Sequence, residues 1–299
     1  MQKSEKSSVL ADRREKFRKA NLSDDVLFAL AMQNTEFCAA VLSIVMDKEI
    51  VGVEYVETQK SILNAAGFKS VRLDVYAVDK DGKIYSVEMQ AVNNDSMPKR
   101  ARFYQGMLDL SSLQSGRAAK YRDLAEQYVV FITEFDIFGE GLYKYTFRNR
   151  CEEAAGLLLG DATTKIFLNT MGTVRTDETD MLIRFLHFVH ETTEAAVQGD
   201  ERIRQLYEMV RALKGDKEKE ADYVSLEGII ADRVEAAEAI AEARGEARGE
   251  ARGILKVCIK RLSMLLACGT EYQEAVREAA ELGDLDPCQL DRAYRLQEK

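Results

Sequence analysis

The amino-acid sequence predicts an α/β fold: a mixed sheet flanked by helices and followed by an α-helical C-terminal extension. Three observations carry this. Short β-rich segments alternate with a helical segment between residues 50 and 170. "QYVVFITEFDIF" (127–138) is a nearly continuous apolar run, the pattern of a strand buried on both faces. From Asp177 to the end the apolar spacing is helical, as in "ETDMLIRFLHFVH" and "IRQLYEMVRALKGDKEKE".

The elements follow in order. Residues 1–20 are polar and mixed in charge, and read as a tail or frayed helix. "NLSDDVLFALAMQNTEFCAAVLSIVM" begins with a capping signal at Ser23 or Asp24 and holds two helices broken near Gln33–Thr35. "IVGVEYVETQ" (50–59), "SVRLDVYAVD" and "KIYSVEMQAV" are strands rich in β-branched and aromatic residues. "MPKRARFYQGMLDLSSLQSG" is a helix with Pro98 in its first turn. "QYVVFITEFDIF", "LYKYTFRNR" and "TTKIFLNT" complete the sheet. The expected division is a tail over 1–20, an α/β domain over 21–172 and a helical region over 173–299.

That last region contains "EARGEARGEARG" (242–253). As a helix it would stack Glu242, Glu246 and Glu250, and likewise Arg244, Arg248 and Arg252, at a repulsive spacing. Each glycine costs up to about 1 kcal/mol against alanine. The segment is therefore either a solvated linker or weak helix, or a helix held by a partner. The apolar "ILKVCIKRLSMLLACG" that follows must pack on something, so oligomerisation through residues 230–270 is expected.

The totals set bounds. With 299 residues, 46% hydrophobic and 31% charged, the chain can bury a core and stay in water. A net charge of −9 and a pI near 5.1 argue against a wholly basic surface, though not against a local basic groove. The five cysteines are scattered without a CxxC pair, so free thiols are expected and a zinc site is not. The charged N-terminus lacks the apolar core of a signal peptide, and no apolar run is long enough for a membrane helix. A cytoplasmic location and no membrane partner are the expectation.

The chemistry centres on "RLDVYAVDKDGKIYSVEMQ" (72–90), two strands around a turn. A three-residue loop Lys80-Asp81-Gly82, with Gly82 in the left-handed region, pairs Asp79 with Lys83. Asp74 then opposes Glu88, and Arg72 opposes Gln90, with Cβ atoms about 4.5–5.5 Å apart. A two-residue Asp81-Gly82 loop would instead oppose Asp74 with Met89 and separate the acids. Two carboxylates that close need a proton or a cation between them. Oxygen ligands from two acids suit a hard ion such as Mg²⁺, which assists phosphodiester hydrolysis. The plainer alternative leaves one acid in solvent on an edge strand or paired with Arg72.

"RLDV", a hairpin and "VEMQ" together resemble the D-x(n)-E-x-Q signature of the PD-(D/E)XK nuclease superfamily. The resemblance is to its family of transposases, akin to the recombination-promoting nucleases (the Rpn family), where Gln commonly replaces the signature lysine. "LSDDVLFALAM" is similar to the group's D-x-x-F segment, although Phe28 is followed by Ala29 rather than Lys. "KRARFYQGMLDLSSLQSGRAAKYRDL", with Arg100, Arg102 and Tyr104 standing for a shifted R-x-x-Y pair, is similar to its next helix. "YVVFITEFDIFG" is similar to the strand after it, and the glycine-punctuated charged repeat is typical of the group. The likeness is close over roughly residues 20–170 and looser beyond. It implies a restriction-endonuclease-like core and a DNA endonuclease. Asp74 and Glu88 would hold Mg²⁺ (Mn²⁺ as substitute), with the Met89 carbonyl as third ligand. Gln90 would orient water or phosphate without the lysine's charge. Asp24 or Asp25 would be the first-helix acid, a role that helix capping explains equally well for an aspartate there.

Other candidates are weaker. Lys99, Arg100, Arg102 and Tyr104 fit a phosphate contact or a solvated helix face. His187 and His190 read as ordinary residues of an amphipathic helix, and with no other histidine a histidine-based triad is not expected. No phosphate-binding GxxxxGK[ST] loop occurs. The competing class is a nuclease-fold binding module that has lost catalysis and works through its helical tail.

Overall fold

A computed structural model of the chain describes residues 2–62, 71–93, 96–114 and 120–297. The chain opens with α1 (Gln2–Lys19), α2 (Asp25–Met32) and α3 (Thr35–Met46). The break between α2 and α3 lies where the sequence places it. Asn34 caps α3 by accepting from the Glu36 and Phe37 amides. Then come β1 (Val53–Ile62), β2 (Val71–Asp79), β3 (Ile84–Gln90), α4 (Met97–Gln114), β4 (Gln127–Thr133), β5 (Lys144–Phe147) and β6 (Thr163–Asn169). Among the described residues these strands form one six-stranded sheet in the order β1-β2-β3-β4-β6-β5.

The sheet is mixed, as expected. β1, β2 and β3 are antiparallel neighbours, β3-β4 and β4-β6 are parallel, and β5 runs antiparallel along β6. The parallel step from β3 to β4 needs a crossover, and α4 supplies it. β4 has partners on both edges and every residue buried, which is why its sequence does not alternate. Met97, Ala101, Tyr104, Met107 and Leu108 of α4 pack on Ile84, Val129, Phe131 and Phe167 of the sheet. α2 and α3 lie against the strands of the first half.

α1 is docked rather than loose. Phe17 is fully buried with its ring 4.9 Å from that of Tyr223, while Lys16 pairs with Glu227 and Arg18 with Glu220. One aromatic side chain on an otherwise polar helix is enough to dock it. Helices α5 (Asp180–His190) and α6 (Glu201–Gly215) follow the sheet. They bury Leu182, Phe185, Leu186, Phe188 and Val189, then Ile203, Leu206 and Val210. The Ser23 amide donates to the Val189 carbonyl and the Leu22 amide to Thr192 Oγ1, tying this region to the start of α2. One compact unit runs to residue 227, and a second spans 228–299.

α7 (Lys217–Ala267) is one continuous helix that includes the repeat at 242–253, so the repeat is helical rather than a linker. α8 (Tyr272–Glu281) and α9 (Pro287–Gln297) complete the chain. Within the second unit, Cys258, Ile259, Leu262 and Leu265 of α7 pack on Ala275, Val276 and Ala279 of α8 and Leu290 of α9. This small core answers part of the apolar demand of residues 254–268. Among the described residues no single helix is long and apolar enough to cross a membrane. All five cysteines are free.

Candidate active site

The β2–β3 turn decides where the acids go. The Asp79 amide donates to the Lys83 carbonyl at 3.1 Å and the Gly82 amide to the Asp79 carbonyl at 2.9 Å. Gly82 has φ +77°, open to glycine without strain. This is the three-residue loop. Asp79 enforces it from inside: its buried carboxylate accepts from the Asp81 and Lys83 amides (3.0 and 2.9 Å) and from the Tyr85 hydroxyl (2.8 Å). The resulting register pairs Val78 with Ile84 and Val75 with Val87. The two-residue alternative is excluded.

One step beyond Val75 and Val87, side chains replace the backbone ladder. The Asp74 amide donates to Glu88 Oε1 at 3.0 Å, and the Met89 amide donates to Asp74 Oδ2 at 3.2 Å. Each acid thus accepts a backbone N–H from the other's strand, and both belong to one site. Glu88 is wholly buried and Asp74 partly so. Arg72 has its backbone in β2, but its side chain lies outside the described ones.

Arg100 reaches in from the first turns of α4. It donates from Nη2 to Glu88 Oε2 (2.8 Å), from Nη1 to Gln90 Oε1 (2.6 Å) and from Nε to the Tyr104 hydroxyl (2.7 Å). Its guanidinium also lies 5.1 Å from the Tyr104 ring and 5.4 Å from the Phe131 ring. Gln90 donates in turn from Nε2 to the Val92 carbonyl. Burial, then the neighbouring Asp74 charge, pushes the Glu88 carboxyl well above the usual range, against the pull of Arg100, the Asp74 amide and Tyr104. Burial works against the Arg100 charge, but Glu88 and Tyr104 outweigh it and hold that guanidinium protonated.

Asp74, Glu88, Met89, Gln90 and Arg100 are therefore brought together. Tyr104 is beside them, but it is only 7% exposed, and its ring stacks on Phe131 at 6.0 Å. The nucleic-acid contact expected of Tyr104 does not fit that burial, and its hydroxyl serves Arg100 instead. Lys99 and Arg102 are exposed on the outer side of α4 next to Phe103. Asp24 and Asp25 are engaged elsewhere. Asp24 caps α2 through the Leu27 amide and accepts from the Tyr223 hydroxyl, Asp25 accepts from the Val26 amide, and both group with Glu227. His187 meets the Tyr143 hydroxyl and His190 meets Glu134, separate partners that do not make a metal pair. Asp79 is the residue that sequence reasoning missed. An aspartate just before a Lys-Asp-Gly turn is an Asx-turn signal that would have found it.

A family model of PD-(D/E)XK nuclease family transposases matches residues 26–239. The chain belongs to this family. Comparisons with curated proteins and with solved structures gave no match. The family match takes in the hairpin and α4, and begins just after Asp24 and Asp25. PD-(D/E)XK nucleases act on DNA and generally use divalent metal ions. The donor set here suits such an ion: oxygens only, from two adjoining carboxylates whose mutual repulsion a cation would relieve.

Proposed function

We propose that this family member is a metal-dependent DNA endonuclease, hydrolysing phosphodiester bonds with Mg²⁺ or Mn²⁺ at Asp74 and Glu88. The observation that supports this best is the reciprocal arrangement of the two acids, each accepting an amide from the opposite strand. That mutual bonding fixes both carboxylates on a rigid sheet before any ligand arrives. Asp74, Glu88 and the Met89 carbonyl hold the ion. When bound, the ion polarises the phosphate and acidifies water. Gln90 orients the water or the scissile phosphate, and the exposed Lys99 and Arg102 meet flanking phosphates. Promotion of recombination would follow from breaks made this way.

Nicking of a supercoiled plasmid with Mg²⁺ or Mn²⁺, comparing wild type with Asp74→Ala and Glu88→Ala, tests the reading. Loss of nicking in both variants supports it. Equal residual nicking in all three points to a contaminant and to the second reading, a nuclease-fold module that binds without cutting. The pairing of Arg100 with Glu88 and the neutral Gln90 are the features that favour this second reading.

We further propose that the chain self-associates through residues 230–270. Ile254, Val257 and Met264 remain exposed on α7 beside the small core of the second unit. Light scattering at micromolar concentration checks this, and a monomer there rejects it.

A further inference from the structure

Arg100 spends all three guanidinium nitrogens inside the candidate site, on Glu88, Gln90 and Tyr104. Both Glu88 oxygens are engaged, Oε1 by the Asp74 amide and Oε2 by Arg100. An ion shared between the two acids therefore finds a positive charge already on the Glu88 oxygen that no backbone amide holds. Two cations on one carboxylate oxygen repel strongly in a partly buried site. Only one partner is free to yield: the Arg100 side chain is 28% exposed and Glu88 is fully enclosed.

Gln90 gains a physical reason from the same geometry. Its carbonyl oxygen accepts from Arg100, and a lysine there has no acceptor to offer and would repel the guanidinium. Glutamine in the signature's last position and arginine on α4 thus form one unit, with the charge moved from strand to helix. Tyr104, whose ring is locked against Phe131, gives Arg100 a second anchor beside Glu88, through Nε rather than the nitrogens that face Glu88 and Gln90.

Resting on the reading of Asp74 and Glu88 as a metal site, we propose that Arg100 is its resident counter-cation and positioning residue. It closes the metal-free site on Glu88 and Gln90 and leaves Glu88 when an ion binds. Tethered by Tyr104, it then turns its fork to the substrate phosphate, the geometry a guanidinium suits best. Metal and Arg100 compete for one oxygen, so each weakens the other's hold by the same factor.

Calorimetric titration of the full chain with Mn²⁺ alone, without DNA, tests this on wild type, Arg100→Met and Tyr104→Phe, with Glu88→Gln as the site control. Arg100→Met is expected to tighten Mn²⁺ binding by about tenfold, the worth of one charge-assisted bond that no longer has to break. The same variant should nick DNA more slowly than wild type, a change opposite in sign to its metal affinity that a purely structural arginine does not produce. Should Arg100→Met fail to fold, Tyr104→Phe removes a single hydroxyl and is expected to tighten Mn²⁺ by a smaller factor. Unchanged or weaker Mn²⁺ binding in the folded variants overturns the inference. If wild type binds Mn²⁺ and loses it in Glu88→Gln, the hydrolase reading survives that outcome. If no variant binds Mn²⁺, both readings fall together.

Discussion

Two acidic clusters in this chain are built from the same parts. Asp74 and Glu88 meet Arg100 and Tyr104 near the C-terminal end of β3, while Asp24, Asp25 and Glu227 meet Lys16 and Tyr223 where α1, α2 and α7 join. Each has acids, a cation and a tyrosine hydroxyl. They differ in burial and in backbone. Glu88 is completely enclosed, and each hairpin acid accepts a main-chain amide from the opposite strand. In the helical cluster Asp25 is exposed, Lys16 keeps half its side chain in solvent, and the amides used belong to the acids' own helix cap. The first arrangement holds charge where water cannot answer it. The second is a joint between helices whose cation stays open to solvent. The largest expected contrast follows. Glu88→Ala or Asp74→Ala should lower cleavage by more than about a hundredfold, since even outer-shell partners of a metal typically cost 10–100-fold. Glu227→Gln should leave the cleavage rate where it is. Plasmid nicking rates for the three variants decide it.

The hairpin cluster exists only in one register, and Asp79 sets that register. Asp79→Ala removes the acceptor for two turn amides and a tyrosine hydroxyl. Leaving such groups without partners should cost about 2–3 kcal/mol in chemical denaturation. If the strands then slip by one residue, Glu88 moves to the other face of the sheet and cleavage disappears with it. Retained activity in a folded Asp79→Ala would show that the strands hold their register without the turn.

This also marks what the sequence could disclose. The "DKDG" turn and the β-branched strands narrow the hairpin to two registers, because register is local geometry, and the buried Asp79 carboxylate selects the one that brings Asp74 and Glu88 together. The unbroken apolar run of β4 announced a strand with partners on both edges. Arg100 was harder. A basic residue in the first turns of a helix reads alike whether it faces water or a carboxylate, and only the packing of α4 on the sheet turns it inward. The same packing buries Tyr104. The amphipathic faces of α5 and α6 say that they are covered but not by what, so the sequence does not tell that they join the compact unit that runs to residue 227. Phe17 shows the limit from the other side, since one aromatic residue among charges carries no periodic signal.

The two clusters should also part in their response to pH. Burial, then the Asp74 charge, raises the Glu88 pKa above its unfolded value of 4.5. A carboxyl raised on folding contributes stability that is full below the unfolded pKa and is lost as pH climbs through the folded one. The metal-free protein should therefore lose stability from about pH 4.5 upward, and Glu88→Gln should flatten that decline in Tm. Asp25 is raised too, by partial desolvation of its carboxyl and then by the Asp24 charge, so its contribution has the same sign. That carboxyl is less enclosed than the one of Glu88, and Asp25→Asn should change the slope less than Glu88→Gln does.

The smallest effect belongs to the ion pair of the helical cluster. Glu227→Gln weakens the 2.6 Å contact with the Lys16 ammonium, but that lysine is half exposed and keeps Asp24 at 3.4 Å. Pairs of this kind contribute less than about 1 kcal/mol and fade with salt. The joint itself rests on Phe17 against Tyr223, which the substitution leaves in place. Denaturation should show a loss under 1 kcal/mol, shrinking further at high ionic strength. A loss several times larger, unmoved by salt, would mean that this cluster is held as tightly as the hairpin acids, and the contrast between the two would have to be redrawn.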